Sequence, residues 1–389
     1  MTSNFWLLAF LLLCASILAA ETDRNQQLNR EFQAALTEYN LAHFDQAAIR
    51  LEKLVRQVPQ NFEVHELLGM VYAAQSQDAK ATPHLQKAVQ LNPNSAAART
   101  TLATNLVKLG KLQPAEIQFK RAVELEPGSY DTNHNLGEFY ASAGKIPEAV
   151  PYLEKAQQIN PQSYDNGYDL ALADTESGRT DAARKVVNAL LKEKDSAELH
   201  NLLGQLEEKA GNFAPAEHEY EIAAHMDASE NNLFDWGSEL LLHRTLDPAI
   251  QVFQAAVERY PRSPRLAIGL GMALYSRGNY DDAVKALLKA ADLSPSDPRS
   301  YYFLWKAYDS SPGQAEEVIQ HFRRFAEIQP QNARAPYYYG MSLWKGRRAE
   351  DGSVDVHEIE HLLKQSISLD PNFAEAYLQL GNLFSDQKN

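Results

Sequence analysis

The chain is short of cysteine, of net positive charge and of long apolar runs. Its 389 residues include a single cysteine, Cys14, so no intrachain disulfide is possible, and a structural thiolate metal site, which needs several, is excluded. Lys and Arg number 37 against 51 Asp and Glu, for a formal net charge of -14. A surface of that sign repels phosphate backbones, so nucleic acid is not expected as a partner. After the first twenty residues no apolar stretch approaches the roughly 20 residues needed to cross a bilayer.

The N-terminus stands apart. Phe5 to Leu18 is almost wholly apolar and leads through Ala19-Ala20 into a polar stretch from Glu21. That pattern predicts a secretory signal peptide over residues 1–20, with cleavage after Ala20 and a short linker over 21–27. An uncleaved signal-anchor is the competing reading, and only in that case is a membrane expected. Leu13 before Cys14 is not the small residue that lipidation of a bacterial cysteine requires. Removal of the segment would leave a mature chain without cysteine.

What the rest of the chain has in abundance is repetition. Pro93, Pro127, Pro161, Pro261 and Pro295 fall on a 34-residue clock. Each closes the same apolar pattern: Leu136-Gly137, Tyr140, Ala149, Leu153 and Ala156 before Pro161, for example. Within a unit the apolar spacing is i, i+3, i+4, i+7, which is helical and not alternating. Gly144 marks a turn between two helices, and the proline ends the second. A fixed period means one supersecondary unit stacked many times, each unit covering its neighbour.

These residues resemble the tetratricopeptide repeat (TPR) family, whose motif sets small, large and aromatic residues at these offsets. The resemblance covers nearly all of the chain after residue 27, with units starting near Leu28, Phe62, Ala96, Tyr130, Tyr164, Ala197, Glu230 and Pro264. It implies an all-α fold, a right-handed α-α superhelix of about ten stacked helix-turn-helix repeats plus a terminal helix. The pattern weakens later: Trp305 stands where Gly or Ala is expected, Pro312-Gly313 occupies a turn, and an insertion lies near 346–355. Charge divides the array as well. Residues 21–229 hold 20 Lys/Arg against 30 Asp/Glu, and residues 230–348 hold 15 against 13. A regular acidic array over 28–229 is therefore expected to pass into a less regular aromatic and basic array over 230–389, with any seam between different partners near Ala228.

Chemistry is sparse. His357-Glu358-Ile359-Glu360-His361 fits the H-E-x-x-H spacing of zinc peptidases, which places two imidazoles one helical turn apart with a glutamate as base. Glu360 interrupts the uncharged interior such helices have, and no third ligand stands out, so a zinc hydrolase is only a weak alternative. No catalytic residue, metal site or cofactor is expected.

A partner surface is the better expectation. If offsets 4, 7, 8 and 11 of each first helix are buried, offsets 2, 5, 9 and 12 face a groove. Those slots hold Glu63 and Glu66, then Asp131, His134 and Glu138, then Asp165 and Tyr168, then Glu198 and Asn201. The cations with which chaperone-binding relatives clamp a terminal carboxylate are missing there. An acidic groove of this kind suits a basic or neutral protein or peptide segment. Among the later aromatic residues, Tyr275 and Tyr301 are expected to be exposed and to join the binding surface. The chain then reads as a non-catalytic, exported scaffold (periplasmic or secreted) for protein or peptide binding. The membrane-anchored form, an envelope or secretion assembly factor, is the alternative.

Overall fold

A computed structural model describes residues 24–310, 314–349 and 356–386. The expected signal segment, residues 21–23 of the linker, the Pro312-Gly313 turn and most of the insertion near 346–355 lie outside them, and residues 24–27 of the expected linker are helical. The described residues form helices and no strand. They divide into two compact units, one ending at Leu190 and the other starting at Leu191. The charge boundary at 229/230 therefore falls inside the second unit.

In the first unit, α1 (residues 24–40) is followed by α2 (Phe44–Gln57), α3 (Phe62–Ala74), α4 (Asp78–Leu91), α5 (Ala96–Lys108), α6 (Leu112–Leu125), α7 (Tyr130–Ser142), α8 (Ile146–Ile159) and α9 (Tyr164–Glu176). The unit boundary cuts the last turn of α10 (Thr180–Glu193). The second unit continues with α11 (Ala197–Lys209), α12 (Phe213–Met226), α13 (Glu230–Leu242), α14 (Leu246–Arg259), α15 (Pro264–Arg277) and α16 (Tyr280–Leu293). It closes with α17 (Pro298–Ser310), α18 (Ala315–Ile328), α19 (Arg334–Ala349), α20 (Val356–Leu369) and α21 (Ala374–Asp386). From α3 to α15 the first helices start at the residues the repeat period marks, so there an offset counted in sequence is a position on a helix; α1 is already helical at residue 24, ahead of the expected start near Leu28.

The proline clock has a local cause. Pro93, Pro127, Pro161, Pro261 and Pro295 each stand one residue past a C-cap, at Asn92, Glu126, Asn160, Tyr260 and Ser294. Two residues further on, a serine caps the next helix in several repeats. Ser95, Ser163 and Ser263 accept the backbone N–H of Ala98, Asn166 and Leu266. Proline cannot continue the old helix, and serine satisfies a donor that the new one leaves bare. Between the two helices of a repeat the chain turns through a left-handed residue, Gly144 at φ +71° and Arg244 at +63° among them.

Packing within a pair is small against large. A Cβ added to Gly69, Gly137 or Gly271 would stand 2.5, 2.7 and 2.4 Å from the nearest atom of Leu85, Leu153 and Leu287. Those three leucines are fully buried. Helix axes approach this closely only where one side chain is absent. The irregular pair is built differently. Trp305 is buried against Phe322, Tyr337 and Tyr338, and α17 and α18 approach less closely than α15 and α16 do. An indole in a glycine slot props the helices apart, and aromatic rings fill the space.

Candidate functional site

In the first unit the expected slots do face outward. Glu63, Asp131, Glu138 and Asp165 are exposed, while Glu66, His134 and Tyr168 are half-buried. On α3, burial and then the neighbouring charge of Glu63 push the Glu66 carboxyl above its usual range. On α7 and α9 the slots form one connected patch. The imidazole of His134 stacks on Tyr130 with ring centres 5.3 Å apart, and Tyr164 stacks on Tyr168 at 6.3 Å.

One buried amide organises this patch. Asn166 is fully buried, and its Nδ2 donates to the Leu153 carbonyl at 2.9 Å and to Gln157 Oε1 at 2.8 Å. Its Oδ1 is thereby left as an acceptor, 3.1 Å from His134 Nδ1. His134 Nδ1 must then carry the proton. Asp169 completes the group. Its carboxyl is pushed up first by burial and further by Glu138 and Asp165, against the opposing pull of His134. The sequence reading missed both Asn166 and Asp169. Their offsets, 3 and 6, lie between the outward and inward slots, where period alone does not say which way a side chain turns.

In the second unit Glu198 is exposed and Asn201 half-buried. Asn201 Nδ2 donates to Asn232 Oδ1 at 3.2 Å and to Asp235 Oδ2 at 2.9 Å, while Gln205 Nε2 donates to Asn201 Oδ1 at 2.7 Å. This ladder ties α11 to α13. Asp235, again at offset 6, has a carboxyl raised by burial despite the Asn201 donor and the charge of Arg265. Tyr275 is half-buried, its ring 5.6 Å from that of Tyr280.

Tyr301 corrects the expectation. It is 0% exposed, stacked on Phe325 with ring centres 4.0 Å apart, and its hydroxyl donates to the Pro295 carbonyl at 3.2 Å. Counted from Pro298, Tyr301 is at offset 4, which belongs to the buried stripe. Its neighbour Tyr302, at offset 5, is the exposed ring, at 37%.

The H-E-x-x-H string lies on α20. His357 and His361 are on its exposed side, with Ile359, Leu362 and Leu363 turned inward. Glu358 accepts the Tyr339 hydroxyl at 2.9 Å, and Glu360 pairs with Lys364 at 2.6 Å. Among the described residues no group of three or more His, Cys, Asp or Glu side chains is placed to hold a metal ion. No described helix is long and apolar enough to cross a membrane. The outward faces thus offer carboxylates, amides and rings for non-covalent contacts.

Comparison with known proteins agrees with the fold. Two sequence models described as tetratricopeptide repeat match the chain, one at residues 32–96, 100–164 and 234–298, the other at 140–206. Among curated proteins, the CTR9 homolog of Arabidopsis thaliana is 24% identical over 191 residues, and the protein O-mannosyl-transferase TMTC3 of Homo sapiens is 23% identical over 170 residues. These alignments take in 48% and 42% of this chain but only 17% of each relative. Among solved structures, the C-terminal part of a TPR repeat-containing protein from Cytophaga hutchinsonii has a TM-score of 0.51 at 18% identity, covering 62% of this chain and 96% of that one. At such identity the likeness is one of fold. Family models covering more than half of the chain, on helix pairs that pack small against large, show that it belongs to the tetratricopeptide repeat family, whose stacked repeats are scaffolds for protein–protein interaction.

Proposed function

We propose that the chain is a non-catalytic scaffold, working outside the cytoplasm, that holds a basic or neutral protein segment against the acidic faces of its first helices. One observation carries this reading. Glu63, Glu66, Asp131, Glu138, Asp165 and Glu198 occupy outward slots, and none is in an ion pair with a described residue. Some carboxylates elsewhere are paired, as Glu116 on α6 is with Lys120 and Lys145 and Glu154 on α8 is with Arg179. Within each unit, uncompensated carboxylates on outward slots raise the local potential for a cationic ligand. Half-burial of Glu66 and Asp169 strengthens the effect, because charges screened less by water act over a longer range.

The test is binding of a fluorescent lysine-containing peptide to the whole chain, with Glu66→Lys, Glu138→Lys and Asp165→Lys combined. Affinity should fall at least tenfold, about 1.4 kcal/mol, and the salt dependence of binding should flatten. Unchanged affinity would remove the acidic faces as the binding surface.

The extracytoplasmic part of the proposal rests on the apolar run Phe5–Leu18 alone. Intact mass of the protein purified from its natural host tests it: a mature chain beginning at Glu21 supports export with cleavage. Retention of the segment in a membrane fraction would favour the anchored assembly factor.

A further inference from the structure

The outward slots of the later repeats differ in chemistry from the acidic ones. Phe234, Leu241, Leu242, Ile268, Met272 and Phe303, from α13, α15 and α17, line a cavity of about 350 Å³. Its size falls in the range of pockets that seat small ligands or anchor side chains, about 300–1,000 Å³. Leu242 is 62% exposed, a large apolar surface left open to water beside the cavity. Gly269 holds the floor open, since a Cβ there would meet Phe253 Cε1 at 2.4 Å.

The rim is basic. Arg265 lies over the Phe234 ring at 4.3 Å, donates to Asn231 Oδ1 at 2.7 Å, and has Glu230 Oε1 at 3.6 Å. Arg299 is held by Asp297. Both are compensated. Lys306 and Arg334 are not: neither is in an ion pair with a described residue, and each stands 5.8 Å from the centre of the exposed Tyr302 ring. Tyr302 meets Phe303, a wall of the cavity, edge-on at 5.0 Å. An apolar socket and an uncompensated pair of cations thus adjoin on α17 and α19.

From this juxtaposition we infer a second binding site, for an acidic peptide segment carrying one large apolar side chain. The side chain enters the cavity between α13 and α17, and flanking carboxylates meet Lys306 and Arg334 across Tyr302. Buried aromatic walls supply the anchor energy, and the cations select the flank. The inference rests on the reading of this chain as a binder of protein segments, but it demands the opposite charge from the acidic faces described above.

The test uses the full chain and a labelled peptide with one tryptophan flanked by glutamates. Controls are the same peptide with alanine for tryptophan, or with lysines for the glutamates. The glutamate–tryptophan peptide should bind, and each control should lose at least tenfold at this site. Ser238→Trp, which fills the cavity, and Lys306→Glu with Arg334→Glu, which alters exposed residues only, should each weaken binding at least tenfold while the thermal midpoint holds. Equal binding of the alanine peptide, or affinity indifferent to both variants, would overturn the site. Displacement of the peptide by a second copy of this chain, or preference for a simple lipophilic acid over the peptide, would also overturn it as stated. If only the lysine peptide binds, the acidic-face proposal stands and this one falls; if only the glutamate peptide binds, the reverse holds.

Discussion

Gly137→Ala tests whether the small-to-large contact, and not the flexibility of glycine, sets the fit within a repeat. The added Cβ would lie 2.7 Å from Leu153 Cδ2 and Cγ and 3.2 Å from its backbone nitrogen. Carbon atoms in contact prefer about 3.5–4.0 Å, so Leu153 must withdraw by about an ångström. It is fully buried, so it can withdraw only against its packed neighbours. Overpacking of this kind costs about 1–3 kcal/mol, offset by about 1 kcal/mol of helix propensity gained. The net expectation is a loss of about 1 kcal/mol. Replacing Leu153 with alanine removes the obstacle, at a loss of its own of about 2–5 kcal/mol. In that background Gly137→Ala should stabilise by about 1 kcal/mol, a change of sign worth about 2 kcal/mol of coupling. Gly144→Ala is the control: its Cβ meets nothing within 4 Å, but φ is +71°, so it should lose about 1 kcal/mol in either background. Urea unfolding gives the totals, and amide exchange of α7 and α8 localises them, since a repeat array need not unfold in one step. Equal effects of Gly137→Ala in both backgrounds would refute the packing argument.

The remaining predictions follow from single residues. Arg244→Gly should raise stability by up to about 1 kcal/mol by relieving a left-handed arginine (φ +63°), read as a shift in urea midpoint; a fall would mean the arginine side chain matters more than its backbone. Asn166→Ala should cost about 1–3 kcal/mol by stranding the groups it bonds, and should also weaken lysine-peptide binding by releasing His134. His65 Nε2 lies 3.1 Å from the Pro59 carbonyl and so donates to it, leaving His65 Nδ1 to accept from His84 Nδ1, also at 3.1 Å. Burial, then the neighbouring His65, hold the His84 pKa below its ordinary value, against a weaker opposing pull from Glu52. The unfolded chain therefore takes up the proton first, and stability should fall as pH drops below about 6.5 toward the lower folded value. Urea midpoints measured across that window should show a smaller fall in His84→Gln, and an equal fall would refute the assignment. Glu116 behaves likewise at lower pH. Hydrogen bonds from Lys120 and Lys145 hold its pKa at about 2, so its contribution is present above the ordinary carboxylate range and lost as pH falls toward 2.

Much of the fold was legible because the residues that punctuate it act locally. A proline past a C-cap and a serine two residues on carry their meaning within a few residues of chain, and so the helix starts matched the period. Exposure of the candidate residues was legible only where the same counting held. Glu63, Asp131 and Glu138 turned outward as offsets 2 and 9 require. Tyr301 did not, because composition alone had marked it; counted from Pro298 it falls in the buried stripe, and the exposed ring is Tyr302. Asn166, Asp169 and Asp235 were not legible, because how deep an offset-3 or offset-6 side chain sits depends on the helix of the neighbouring repeat.

That dependence separates what holds the array together from what it can bind. Stability resides in inward slots where glycine meets leucine or phenylalanine within a repeat, and a single methyl there is felt. Outward slots carry less packing duty, so Glu63 and Glu66 on α3 are replaced at the same offsets on α15 by Arg265 and by Ile268, which is itself buried beside Met272 and Phe303. Such substitutions turn a face of unpaired carboxylates into an apolar socket with a basic rim. The two proposed ligands, one basic or neutral and one acidic with a bulky anchor, are therefore consequences of the same four offsets filled in different ways. Exchanging only the outward residues of α3 for those of α15 should transfer the preference for the acidic peptide in part, because the cavity also needs walls from α13 and α17. A complete transfer would show that one helix face suffices and that the cavity is incidental. No transfer, with the fold intact, would show that recognition lies elsewhere than at these slots.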